Sequence, residues 1–401
     1  MQSSKFTAKR LIALLFLGLA TFVCTDALVF RSGLYNRLIS PESMSGFVYY
    51  MAHYEKQRRA DPTRDVLLTG DSRMSEGFSP RLANASGVAK DFRFIEAGMP
   101  GTTLRTWYYL LKDMDPNADR YRAIVLSIPS YREVSPDDPS LDDRELDADM
   151  LAPILDTTDF IELANTFPSP DKRHVIWSRV ATWALNYQMD FQDFLLHPRK
   201  RLRAVRWRNS VGSTMGDDYE GHPESMVGLA FDAGTHSLTY PARLSEIERS
   251  AVSQRFLTPY TYPPEPLDAY TSEWLEKIFA RYEHSSTQIV IARVPTSPLP
   301  GVFNEADKPM AHFIDKIGHH PNVILIPEDT FLNLESPTYF FDTNHLDAVG
   351  REHFTSQMVD ALAAALTSGH PQNRSVHTQS SDRAQSSDRA TDVVHSNQPM
   401  Q

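Results

Sequence analysis

Cysteine is almost absent from this chain: one in 401 residues, Cys24. No internal disulfide can form, and a cysteine-based metal site is excluded. Positive charge is also short. Lys and Arg number 40 against 51 Asp and Glu, a formal net charge of −11. Binding of nucleic acid by the whole chain needs a basic footprint that this balance does not provide. No phosphate-binding loop occurs, because "GMPGTT" lacks the lysine of that motif. The histidines of "GHHP" at 318–321 have no partner at metal-ligand spacing, so neither metal nor cofactor is expected. No internal repeat is visible before residue 368.

Long apolar runs are equally scarce, with one exception. Lys5, Lys9 and Arg10 precede Leu11–Phe30, which is interrupted by a single charge, Asp26. That length suits a helix crossing a bilayer. The basic flank predicts a cytoplasmic N-terminus, with the body of the chain in the periplasm or at the cell surface. Two other readings stay open. One is a cleaved signal peptide, although "LATFVCTDA" offers no clean A-x-A site. The other is a buried core helix.

After this segment the chain alternates. "SPESMSGFVYYMAHYEKQRRADP" reads as a linker and helix ending at Pro62. Strands are expected at Val66–Leu68, Phe92–Ile95 and Ala123–Ile128, with an amphipathic helix over "TLRTWYYLLKDMDP". The pattern resumes with a helix in "DAYTSEWLEKIFARYEHSS", strands in "QIVIARVP" and at Asn322–Ile326, and a last helix, "DAVGREHFTSQMVDALAAALTSG". Short apolar strands alternating with helices predict an α/β fold, a central parallel sheet with helices on both faces. Residues 134–266 break the alternation and read as a large, mostly helical insertion between the halves 62–133 and 267–367. Its Trp177, Trp183 and Tyr187 would line a pocket or form its own core. The tail, 368–401, is polar and repetitive, with too little apolar surface to fold alone.

Three stretches carry chemistry. In "VLLTGDSRMSEGF" an apolar strand stops at Gly70-Asp71-Ser72, which places a hydroxyl just past the strand's carboxyl end. "AGMPGTT" puts Gly98 and Gly101 in the loop after the second strand, where backbone N–H groups can approach a ligand or simply make a turn. "FFDTNHLDAVGREHF" sets Asp342 and His345 three apart before a helix, with Asp347 as a plausible N-cap. A serine hydroxyl needs a neighbouring base to become a nucleophile. His345 would be that base and Asp342 the group that orients it. The bland alternative is a capping carboxylate beside a surface histidine. Arg293, ending the fourth strand, would face the same rim and bind an anionic substrate group, or form a surface ion pair. Arg199, Lys200, Arg201, Arg203, Arg206 and Arg208 make a basic run, either a solvated helix face or an attraction for anionic lipid or polysaccharide.

In this order the three stretches resemble the SGNH (GDSL-like) hydrolase superfamily. Gly70-Asp71-Ser72 matches its first block, Gly101 the glycine of its second, and Asp342-Thr343-Asn344-His345-Leu346 with Gly350 its last. The resemblance covers about residues 62–133 and 267–366. It implies a flavodoxin-like three-layer sandwich, with Ser72 as nucleophile, His345 as base and Asp342 as its partner. The N–H groups of Ser72 and Gly101 would form the oxyanion hole. The third block departs from the family: Ser127-Ile128-Pro129-Ser130-Tyr131-Arg132 holds no asparagine, which leaves Ser130 or Arg132 as substitute support. An anchor, an extracytoplasmic domain and a divergent third block together look like the envelope acyl-transfer proteins. Examples are the alginate O-acetylation subunits and the D-alanyl transfer protein of the teichoic acid pathway. That likeness implies an O-acyltransferase or esterase acting on an envelope glycan or polymer, with a multi-spanning membrane acyltransferase as partner. A scaffold that kept the fold, and a lipid or small-molecule esterase with the insertion as lid, are the other expectations.

Overall fold

The computed structural model describes residues 2–129, 144–211, 219–257, 266–296, 298–299 and 320–368. Its strands are β1 (Asp65–Thr69), β2 (Arg93–Glu96), β3 (Ala123–Ile128), β4 (Ala230–Asp232), β5 (Ser237–Thr239), β6 (Gln288–Arg293) and β7 (Val323–Leu325). Five of them form one parallel sheet in the order β2-β1-β3-β6-β7. From β1 the chain steps outward to β2, returns past β1 to β3, and then continues to β6 and β7. The direction of winding therefore reverses between β1 and β3, which opens a crevice beyond their carboxyl ends. β1 and β3 are buried along their whole length. Strands covered on both faces read as unbroken apolar runs, which is why "DVLLT" and "AIVLSI" stand out in the sequence.

Thirteen α-helices occur among the described residues. The N-terminal half holds α1 (Gln2–Thr25), α2 (Met44–Gln57), α3 (Ser72–Gly77), α4 (Pro80–Ala85) and α5 (Leu104–Met114). The insertion contributes α6 (Leu146–Leu151), α7 (Thr157–Asn165), α8 (Pro170–Ala181), α9 (Gln188–Leu196), α10 (Pro198–Val211) and α11 (Glu246–Leu257). α12 (Pro266–Tyr282) and α13 (Ala348–Ser368) follow.

Alternate strand side chains feed two separate cores. Leu67, Ile124, Leu126, Ile289 and Ile291 pack with α2, α5, α6, α7, α8 and α12. Val66, Leu68, Val125, Val290 and Ala292 pack with α3, α4, α11 and α13. The result is a sheet with helices on both faces. Charge ties down its amino end, away from the crevice: Asp65, fully buried, takes bonds from Arg58 Nη1 and Arg93 Nε, each at 2.6 Å.

The insertion does not build a core of its own. Met150, Phe160, Leu163, Trp183 and Tyr187 join the same cluster as the sheet face. Trp177 does not join them; it is 38% exposed, and its indole N–H donates to Asn165. The insertion also includes a small hairpin, β4–β5.

One helical segment among the described residues, Arg10–Arg31, is long and apolar enough to cross a membrane. Its mean hydropathy is 2.2, and only 6% of it is buried. Its last turn is π-helical, Asp26–Arg31, and this turn docks on the insertion. Asp26 accepts the Ala184 N–H at 2.6 Å, and Arg31 donates to the Val180 carbonyl at 2.6 Å.

Candidate active site

Strand β1 ends at Thr69, and Gly70 and Asp71 lead directly into α3 with Ser72 as its first residue. Asp71 is the N-cap, accepting the Arg73 N–H at 2.9 Å. Burial disfavours the Asp71 carboxylate, but the Arg73 guanidinium and that N–H bond outweigh it and hold the carboxyl below its ordinary range. The loop after β2 folds across the same strand end. Met99 N–H and Thr102 Oγ1 both donate to the Gly70 carbonyl, at 2.9 and 3.0 Å. Gly101 sits there at φ +68°, and a Cβ on it would come within 2.7 Å of Met44 Cε. Only glycine takes that conformation without strain. Neither the Ser72 nor the Gly101 N–H donates to another of the described residues.

The third piece arrives from far along the chain. A bridge between Phe340 and Leu346 closes the loop that carries Asp342 and His345. Asp347 then caps α13, accepting the Gly350 N–H at 2.7 Å. Gly350 is pressed against the Tyr339 carbonyl, with no room for a Cβ. Within the loop, Asp342 Oδ1 accepts the N–H groups of Asn344 and His345 at 2.8 and 2.7 Å.

These anchors bring Ser72, His345 and Asp342 together. His345 Nδ1 lies 2.8 Å from Asp342 Oδ2, and Nε2 lies 2.8 Å from Ser72 Oγ. The carboxylate assigns the ring proton to Nδ1, so Nε2 accepts from the serine hydroxyl. Burial alone would lower the pKa of His345. The bond and charge of Asp342 outweigh it, with Glu76 and Asp71 adding to the effect, and the ring titrates above its ordinary value. Burial likewise opposes the Asp342 carboxylate, and His345 with the two N–H donors reverses the balance.

Other expected site residues lie elsewhere. Arg293 pairs with Glu335 at 2.5 Å, and Glu335 also accepts the Thr296 N–H. An ion pair is thus observed, though largely buried and not at the surface as expected, and no contact joins Arg293 to the triad among the described residues. Ser130 and Arg132 lie outside the described residues.

Three neighbours escaped the sequence analysis. Glu76, one turn after Ser72 on α3, places Oε1 3.9 Å from His345 Nε2 and Oε2 3.7 Å from His222 Nε2. Tyr219 Oη reaches Glu76 at 3.5 Å, and the His222 ring stacks on Phe341 at 3.7 Å between centroids. The insertion therefore forms one wall of the site. Glu76 had a readable signal, its i,i+4 spacing from Ser72 on a helix. His222 and Tyr219 had none, since only the tertiary fold places them here.

Glu76 supplies the first test. Its charge favours the imidazolium, so Glu76→Gln is expected to lower the pKa of His345. A general base works in its neutral form, and activity rises with pH through that pKa. The acid limb of a kcat/KM profile should therefore move to lower pH in the variant. A limb that stays in place would separate Glu76 from the proton transfer.

No family model matches the chain, and no curated protein matches it in sequence.

Proposed function

We propose that this protein is a membrane-anchored, extracytoplasmic serine esterase or O-acyltransferase of the SGNH type, acting on acyl esters of an envelope glycan or polymer. The observation that carries the reading is the continuous Asp342–His345–Ser72 relay, with 2.8 Å at each step. The strand order, 2-1-3-4-5 counted within the sheet, is that of the flavodoxin-like sandwich expected from the resemblance. The apolar N-terminal segment supports the anchor.

The chemistry follows from the geometry. Ser72 Oγ attacks the ester carbonyl carbon while its proton passes to His345 Nε2. Negative charge builds on the carbonyl oxygen, where the N–H groups of Ser72 and Gly101 are the candidate donors; each such donor is worth about 3 kcal/mol. The C–O bond to the leaving alcohol breaks, and that alcohol departs with the proton held by His345. A second hydroxyl, from water or a sugar, gives its proton to His345 and attacks the acyl-serine. Ser72 leaves and recovers the proton. Asp342 keeps the ring in the required tautomer throughout. Acyl groups for transfer would come from a multi-spanning membrane acyltransferase.

The test uses the purified full chain with a fluorophosphonate probe and a chromogenic acetyl ester. Labelling at Ser72 that Ser72→Ala abolishes is the expected result. Ester turnover that rises when a carbohydrate acceptor is added would assign transfer over hydrolysis. Folded wild-type protein that resists the probe would refute the enzyme reading and leave the scaffold.

A further inference from the structure

The basic run divides into two faces on α10. Arg201 and Arg208 turn inward and are buried. Arg201 bonds Asp190 at 2.7 Å, Asp193 at 2.6 Å and the Leu38 carbonyl at 3.0 Å. Arg208 lies over the rings of Tyr50 and Tyr54 on α2. For these two arginines a solvated face is the wrong expectation, because they hold the helix to the segment that follows the anchor. The outward face repeats at i, i+3, i+4, i+7 and i+8: Arg199, Leu202, Arg203, Arg206 and Trp207. With Ser210 these residues line an open groove of about 530 Å³.

That face is unusual in a chain of net charge −11. α10 contains no acidic residue. Arg199, Lys200, Arg203 and Arg206 form no ion pair with any described residue; among those residues the ion pairs of this helix belong to Arg201. Large apolar side chains are also exposed: Trp207, among these cations, at 61% and Leu196, at the end of α9, at 66%. Leu195 and Met189 are exposed as well.

The insertion that carries this face is fastened to the end of the apolar N-terminal segment. The turn Trp183–Tyr187, which leads into α9, packs on the π-helical end of the anchor. Tyr35, a few residues past the anchor, donates to Asp190 at 2.7 Å and meets the rings of Phe191 and Phe194. Cations interleaved with Trp and Leu at helical spacing suit an interface of anionic headgroups over acyl chains. We infer that the outward face of α10, with the exposed leucines of α9, lies on the anionic lipid surface of the membrane that the anchor crosses. The inference rests on the anchor reading and is independent of the serine chemistry. It gives the insertion a job: holding the body of the protein down on the lipid.

The experiment reconstitutes the full chain into vesicles of phosphatidylglycerol or of phosphatidylcholine, with and without brominated acyl chains. The signal is the Trp207 emission, taken as wild type minus Trp207→Phe. Expected are a blue shift and quenching by bromine in the anionic vesicles, both weaker in zwitterionic ones. Arg199→Glu/Arg203→Glu/Arg206→Glu should lose the quenching while keeping the wild-type melting temperature. Trp207 emission left unquenched in protein that floats with anionic vesicles would overturn the lipid contact and spare the anchor. Protein that fails to float would overturn both. In either case, probe labelling of Ser72 reports separately on the catalytic reading.

Discussion

Replacing Ser72 with alanine is expected to remove ester turnover almost entirely, on the order of 10⁶-fold in kcat where serine and imidazole act as one unit. Ser72 Oγ is 2.8 Å from His345 Nε2, and Asp342 engages the other nitrogen of that ring. In the proposed mechanism no acyl-serine could form without the hydroxyl, and without the ring the hydroxyl would stay a poor nucleophile. His345→Ala should therefore match Ser72→Ala, and the double variant should be no worse than either. Asp342→Asn is expected to cost less, about 10⁴-fold, because an amide can donate to Nδ1 and favour the wrong tautomer. Steady-state kinetics on one chromogenic ester would measure all four proteins. Losses that multiply in the double variant would mean that the two side chains act independently, which the relay does not allow.

Burial explains what was legible in the sequence. β3 falls on the residues its apolar run indicates, β1 extends its run by one residue at each end, and β6 lies within "QIVIARVP", ending at Arg293, because strands covered on both faces admit few polar side chains. β2 and β7 lie at the sheet's margins, and there the pattern is less sharp: β2 runs one residue later than its apolar core, and β7 is shorter than expected. Caps were readable too, as at Asp347.

Tertiary contact decided the rest. Within "HVIWSRVATWALNYQMDFQDFLL", part of the insertion expected to be mostly helical, α8 stops at Ala181 and α9 starts at Gln188. No proline or glycine breaks it. The buried carboxylate of Asp26 takes the Ala184 N–H, and the chain between the helices tightens around that contact. The β4–β5 hairpin had a signal that went unread: Asp232 accepts the N–H of Gly234 and of Thr235, an Asx turn. His222 belongs to the site through its stack on Phe341, a contact no linear pattern encodes.

Asp147→Ala is expected to destabilise the fold by about 3–5 kcal/mol, the range for breaking a buried ion pair from one side. Asp147 on α6 and Arg105 on α5 are both fully buried, with Oδ2 and Nη1 3.5 Å apart. Arg105 also lies over Phe167 at 4.4 Å and near Tyr270 at 5.4 Å. Removing the carboxylate takes a charged partner from a buried guanidinium that lies over aromatic rings. For a chain this long, the loss corresponds to a fall in Tm of about 5 °C. Arg105→Met with Asp147→Leu should recover most of it, because the pair owes much of its cost to desolvation. Calorimetry on the single and double variants separates the two cases; a single variant that melts like wild type would show that the charge is stabilised by other means. The effect should also reach the site. Asp147 accepts from Thr103 Oγ1 at 3.0 Å, and Thr103 caps α5 two residues after Gly101. From there Trp107 Nε1 bonds Thr102, and Thr102 bonds the Gly70 carbonyl beside Ser72. Asp147→Ala should thus lower turnover while Tm still lies well above the assay temperature, and the double variant, which restores packing without the Thr103 acceptor, should regain stability ahead of activity.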